Sequence, residues 1–307
     1  MTALETAILR TILYADLFDF PMTVAEIHHF LIHDEAVSRA EIEAALRESP
    51  WLQQRLVYEA GHIFLADRPE LLVERAHRAA VSAYLWPQAV AYGKWLGRLP
   101  FVRMVALTGA LAMRNAADQT DDLDYLLVTA PNRVWLARAF AILLVRLVRL
   151  RGTVICPNYV LAEDALEQDR RDVFIAHEIA QMIPLYGQAL YERFRALNDW
   201  SRDHLPQAQA PLYPEPDQRS GSLWERVKMV AEGLLNGRFG DALEHWEYQR
   251  KLRRFAADMQ APHSAAQLDR SHVKGHFNDY GHPVLRRYAE RLREYGLEEV
   301  HIGAPGE

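Results

Sequence analysis

Leu107-Thr108-Gly109-Ala110-Leu111-Ala112-Met113 and, after seven intervening residues, Asp121-Asp122-Leu123-Asp124-Tyr125-Leu126-Leu127-Val128 carry more fold information than any other part of this 307-residue chain. Residues 101–107 are an apolar run ending at Thr108-Gly109, and 123–128 are a second run entered from Asp121-Asp122. Both read as buried strands. Residues two apart on a strand project to one face, so the Asp122 and Asp124 carboxylates point together. Two ionised carboxylates so placed repel unless a divalent cation lies between their oxygens. Mg²⁺ suits the position, because it takes hard oxygen ligands, usually one or two carboxylates plus substrate phosphates. Gly109 has no side chain to keep a triphosphate from the backbone N–H groups. A phosphate cradle beside a two-carboxylate metal site is the machinery of phosphoryl or nucleotidyl transfer.

Outward from this stretch, a helix is expected over residues 134–150, ended by Gly152. A third strand is expected over 153–161, where Pro157 suits an edge position or a bulge. Strand, turn, strand, helix, strand describes a small mixed-sheet α/β domain over residues 99–170. Gly109-Ala110, eleven intervening residues, then Asp122-Leu123-Asp124 on a strand resembles the motif of the nucleotidyltransferase superfamily with the DNA polymerase β-like fold. The layout of the whole chain also resembles bacterial proteins that join a winged-helix-like leader to such a domain and a helical tail.

The resemblance implies that Asp122 and Asp124 bind Mg²⁺ or Mn²⁺ and that Gly109 and the Ala110 backbone contact the phosphates of an NTP. It implies transfer of a nucleoside monophosphate to an acceptor that the residues do not identify. Three departures stand out. Ala110 replaces the usual Ser, Met113 replaces an Arg common in small members (the adjacent Arg114 is the candidate nucleotide-binding side chain), and 153–161 holds no Asp or Glu as third carboxylate. Asn158 is the best-placed polar residue there and is the candidate third metal ligand. Glu163 and Asp164, just past the strand, are substitutes only if the loop folds back. These departures leave open a catalytically weak or inactive nucleotide-binding or protein-interaction module on the same fold.

Residues 1–66 read as three helices and a hairpin, the order of a winged helix. Thr23 with Glu26 and Ser38 with Glu41 are capping boxes. This segment carries four Arg and no Lys against ten Asp and Glu, a balance of −6 that equals the charge of the whole chain. Duplex binding depends on neutralising phosphates, so no duplex DNA partner is expected and a winged-helix regulator is the weakest reading. Residues 67–98 read as a helical connector broken at Pro87. Residues 171–307 read as helical except for a loop at about 206–222.

Half of the chain is hydrophobic and a quarter charged, the balance of a soluble globular protein. A lone Cys156 excludes a disulfide framework, and Glu5, Arg10 and Asp16 interrupt the first apolar stretch, so a cytoplasmic protein is expected. Residues 139–145, between Arg138 and Arg146, fall far short of the ~20 residues of a membrane span, so no membrane partner is expected. Asp118 and Asp121 read as loop-solvating, His177-Glu178 as a helix surface pair, and Trp200 as core or interface. Lys274-Gly275-His276 with Arg286 and Arg287 reads as a solvated basic face, or else an anion site.

Overall fold

The computed structural model describes residues 1–150, 152–218, 221–259, 267–274 and 281–297. The chain opens with α1 (Ala3–Asp16), α2 (Val24–His29), α3 (Arg39–Glu48) and the one-turn α4 (Pro50–Gln53), then the hairpin β1 (Leu56–Glu59) and β2 (His62–Leu65). Both expected capping boxes are present, with Thr23 Oγ accepting from Glu26 N and Ser38 Oγ from Glu41 N. In each, the Glu carboxylate accepts in return from the N-cap N–H. A third box, Thr2 with Glu5, starts α1.

The helix α5 (Leu71–Gly97) runs through Pro87 without a break. Proline forfeits one backbone bond, but Leu85, Trp86 and Ala89 around it are buried, and that packing holds the helix across the gap.

The central sheet follows from β3 (Val102–Leu107), the short α6 (Gly109–Ala112), β4 (Leu123–Thr129), α7 (Val134–Arg149) and β5 (Ile155–Ala162). The next segment is α8 (Val173–Gln181), β6 (Ile183–Tyr186), α9 (Gln188–Leu197) and a 3₁₀ turn, Asp199–Asp203. It is followed by α10 (Ser222–Leu235), α11 (Arg238–Met259), β7 (Gln267–Leu268), β8 (His272–Lys274) and α12 (Gly281–Glu294). The fold is α+β, with a six-stranded sheet ordered β6-β3-β4-β5-β8-β7. Among the described residues only β4 and β5 pair in parallel, joined by the α7 crossover.

The region after residue 171 is therefore not wholly helical, since β6, β7 and β8 complete the sheet. Ile183-Pro-Leu-Tyr186 is only four residues long and continues an apolar helical pattern from Ile179 and Met182, which hid the strand.

Alternation along β4 sets the two faces. Leu123, Tyr125 and Leu127 pack with α5 and α7, while Leu126 and Val128 pack with Ile179 of α8, Met182 just beyond it, and Tyr191 and Phe194 of α9. Asp124 belongs to this second face. A separate core joins α1–α4 to α8 and α12 through Leu9, Leu13, Ala176 and Tyr288. Buried ions also tie the N-terminal helices to the rest: Glu26 meets Arg75 at 2.6 Å, and Asp16 meets Arg68 at 3.1 Å and Arg291 at 2.5 Å. Part of the acidic surplus of residues 1–66 is thus turned inward onto arginines of later segments. On α3 only Ile42 is buried, and Glu41 and Glu43 face solvent. Among the described residues no helix is long and apolar enough to cross a membrane.

Candidate functional site

The turn from β3 into α6 brings the two halves of the motif together. Gly109 adopts φ +68°, a left-handed conformation that costs other residues ~1–2 kcal/mol. A Cβ at this position would lie 2.5 Å from Asp124 Oδ2. The Asp124 carboxylate thus rests against the glycine backbone, and Asp124 C=O also accepts from Thr108 N at 3.0 Å. Only glycine meets both demands. Ala110 is exposed beside it, and Asp122 lies exposed one residue before β4 begins.

Asp124 is half-buried, and its pKa is pushed up to about 7, first by burial and then by the neighbouring Asp122 and Asp121 charges. A hydrogen bond from Asn158 Nδ2 to Asp124 Oδ1 at 2.5 Å opposes the rise. Asn158 reaches it because of a bulge: Tyr125 pairs with Pro157, but Leu126 pairs with Tyr159, leaving Asn158 as the extra residue. Pro157 therefore marks a bulge in an interior strand, since β5 lies between β4 and β8. The Asn158 amide turns its N–H to Asp124 and its Oδ1 to the Cys156 thiol at 2.6 Å, so the oxygen expected to bind a metal faces sulfur. Burial, with Asp124 and Asp122, pushes the Cys156 thiol up to about 12, which makes it inert as a nucleophile.

Glu163 and Asp164 do not join this cluster. Asp124 pairs with Cys156 near the start of β5, and the parallel strand carries the chain seven residues further, about 20 Å, before Glu163. There Glu163 N donates to Thr129 O, and the Glu163 charge acts on Arg103 at the start of β3. Arg114 also has φ > 0, and its guanidinium stacks 3.3 Å from the Trp86 ring centroid, with Tyr213 at 5.4 Å. Asp118 and Asp121 accept from Thr120 N and Ala117 N, so they close the intervening loop on itself rather than only solvating it.

The His177-Glu178 pair is not a surface feature. His177 is buried and stacks 4.0 Å from Tyr14, and burial pushes its pKa down to about 4. Glu178 is half-buried on α8, between Ile175 and Met182 one turn away on either side, and points to the sheet face that carries Asp124. Burial and then the Asp124 charge push its pKa up to about 7, against the pull of Lys274. Gln181 Nε2 donates to Glu178 Oε1 at 2.6 Å. An acid on the apolar face of a helix was the available signal for this residue. Lys274 sits on β8 opposite Tyr159. Gly275 and His276 lie outside the described residues, and Arg286 and Arg287 are exposed on α12. Trp200 is partly buried and packs against two of the cores.

The site thus gathers Gly109, Asp122, Asp124 and Asn158, with Glu178 and Lys274 in electrostatic reach. Among the described residues no three His, Cys, Asp or Glu side chains converge as a metal cage. Comparison of the chain with family models, curated proteins and solved structures found no match.

Proposed function

We propose that residues 99–170 form a nucleotidyltransferase-like domain that binds a divalent cation and a nucleoside triphosphate between Gly109 and the Asp122–Asp124 pair. In this reading residues 1–66 are a winged-helix-like domain without a duplex DNA partner. The supporting observation is the seating of Asp124 against Gly109 at φ +68°, which joins the glycine turn to one carboxylate of the pair. The order β3, α6, β4, α7, β5 is compatible with such a domain.

The residues fit Mg²⁺. Asp122 and Asp124 supply hard oxygens; burial first, and then the neighbouring Asp122 charge, raises the Asp124 pKa, and a bound cation would offset both. When bound, the ion would neutralise triphosphate charge and polarise the phosphorus. The Gly109 and Ala110 backbone would lie against the phosphates, and Asn158 holds Asp124 in place.

Transfer to an acceptor is a second reading, and Glu178 favours it. An acceptor hydroxyl oxygen would bond to the α-phosphorus as the bond to the leaving pyrophosphate breaks. The hydroxyl proton would pass to the Glu178 carboxylate, whose pKa of about 7 suits a general base. Incubation with each α-labelled NTP, with and without Mg²⁺, separates the two readings. Mg²⁺-dependent NTP retention is the expected result, and covalent label on an acceptor adds transfer. Absence of Mg²⁺-dependent retention for every NTP would overturn both.

A further inference from the structure

The helix α10 presents its apolar side to solvent. Leu223, Val227, Val230 and Leu234 recur at intervals of four, three and four residues, which places them on a single stripe. Their exposures are 71%, 50%, 63% and 75%. The polar side of the helix faces the protein instead. Lys228 Nζ is buried and donates to Gly97 O at 2.8 Å, and also to Val102 O and Tyr186 Oη. Glu232 accepts from Phe101 N at 2.6 Å and from Arg103 through both oxygens at 2.7 and 2.9 Å. These bonds fix the rotation of the helix, so the stripe cannot turn inward without stranding an ammonium and a carboxylate.

We propose that α10 is a two-fold interface through which this chain pairs with a second copy of itself, antiparallel along the stripe. A two-fold contact needs a self-complementary surface, in which residue i meets j and j meets i. Leu-Val-Val-Leu at spacings four, three, four reads the same in both directions. Leu223 then faces Leu234 of the second copy and Val227 faces Val230.

The area also fits. The stripe exposes on the order of 450 Å² of largely apolar surface per chain, which is already the ~300–600 Å² of the largest patch on a typical monomer. Two such stripes give about 900 Å², the apolar share of a standard interface of ~1,600 Å² total at roughly 57% non-polar. A lipid surface is a poorer occupant. A helix lying on anionic membrane needs a basic flank, whereas Lys228 is turned inward and Arg226 is balanced by exposed Glu225.

The full-length chain in sedimentation equilibrium tests the pairing and its register. Wild type should have twice the 35.3 kDa mass of one chain. Val227→Lys and Val230→Glu should each weaken the dimer by at least ~100-fold, because each buries an unpaired charge in the seam. Both should keep the wild-type circular dichroism, since neither side chain contributes to a core. Mixing the two variants should restore a heterodimer, with the new lysine facing the new glutamate. A monomeric wild type would overturn the proposal, as would dimers in both single variants. No heterodimer on mixing would overturn the antiparallel register. A monomer that sediments with anionic phosphatidylserine vesicles would reassign the stripe to a membrane.

Discussion

Replacing Gly109 with alanine puts a methyl group where the Asp124 carboxylate now rests. Two costs arise, and a control separates them. The first is the left-handed backbone, φ +68°, which penalises any Cβ by ~1–2 kcal/mol. Gly61 has φ +80°, and a methyl group added there would meet nothing within 4 Å, so Gly61→Ala carries that first cost alone. The second cost is local to the site. The new Cβ would meet Asp124 Oδ2 at 2.5 Å, so the carboxylate must retreat by about 1 Å to reach ordinary contact and loosens its bond from Asn158. A weakened bond to an ionised group adds ~1–2 kcal/mol.

Gly109→Ala should therefore lose ~2–4 kcal/mol against ~1–2 for Gly61→Ala, a difference of about 2–3 °C in melting temperature for a chain of this length. A 1 Å displacement of a positioned group costs roughly 100-fold in activity, so Mg²⁺–NTP turnover should fall by that order in Gly109→Ala only. Equal melting shifts for the two variants, with an unchanged response to Mg²⁺ and NTP, would refute the reasoning.

Glu178→Gln should lower transfer by ~10²–10⁴-fold while NTP affinity stays within a few-fold, and it should abolish the rise in rate across pH 7. An unaltered pH profile would dismiss Glu178 as the base. His177 and His29 are held neutral by burial at about 4, whereas in the unfolded chain they take up protons below about 6.5. Stability is therefore fully present above pH 6.5 and falls as pH drops toward 4, by up to ~3 kcal/mol for each ring. His177→Phe keeps an aromatic stack on Tyr14 and should remove about half of that slope in denaturant titrations. An identical slope would clear His177. Arg75→Ala strands the buried Glu26 carboxylate, which also accepts from Tyr213 Oη at 2.5 Å, and should cost ~3–5 kcal/mol by the same titration. A change below about 1 kcal/mol would mean that the pair contributes little.

Local signals in the sequence were those with a short physical range. The two capping boxes depend on two residues each, three positions apart, and the strands at 101–107 and 123–128 declare themselves by apolar runs that only Arg103 and Asp124 interrupt. The sequence placed Gly109 and Asp124 in one motif, but the direct seating of the carboxylate against the glycine, at φ +68°, is visible only in the folded chain. What escaped was set by tertiary packing. Pro87 stays helical because its neighbours are buried, and β6 was hidden by its brevity. Glu163 and Asp164 follow β5 closely in sequence, yet the parallel pairing of β4 with β5 puts them at the far end of the strand. Glu178 was missed because its neighbour across space, Asp124, lies more than fifty residues away in sequence. Its position between Ile175 and Met182 was the one hint.

Thermal melting of the wild type and of the Asp122→Asn, Asp124→Asn double variant tests the central claim most directly. Each is measured alone, with Mg²⁺, with each of ATP, GTP, CTP and UTP, and with both metal and nucleotide. Wild type should gain stability only when Mg²⁺ and an NTP are present together, by about 2.7 kcal/mol at a hundredfold excess over the dissociation constant. The double variant should fold and show no gain. An equal gain in the double variant, or no gain in wild type with any nucleotide, would contradict a metal–nucleotide site at Asp122 and Asp124.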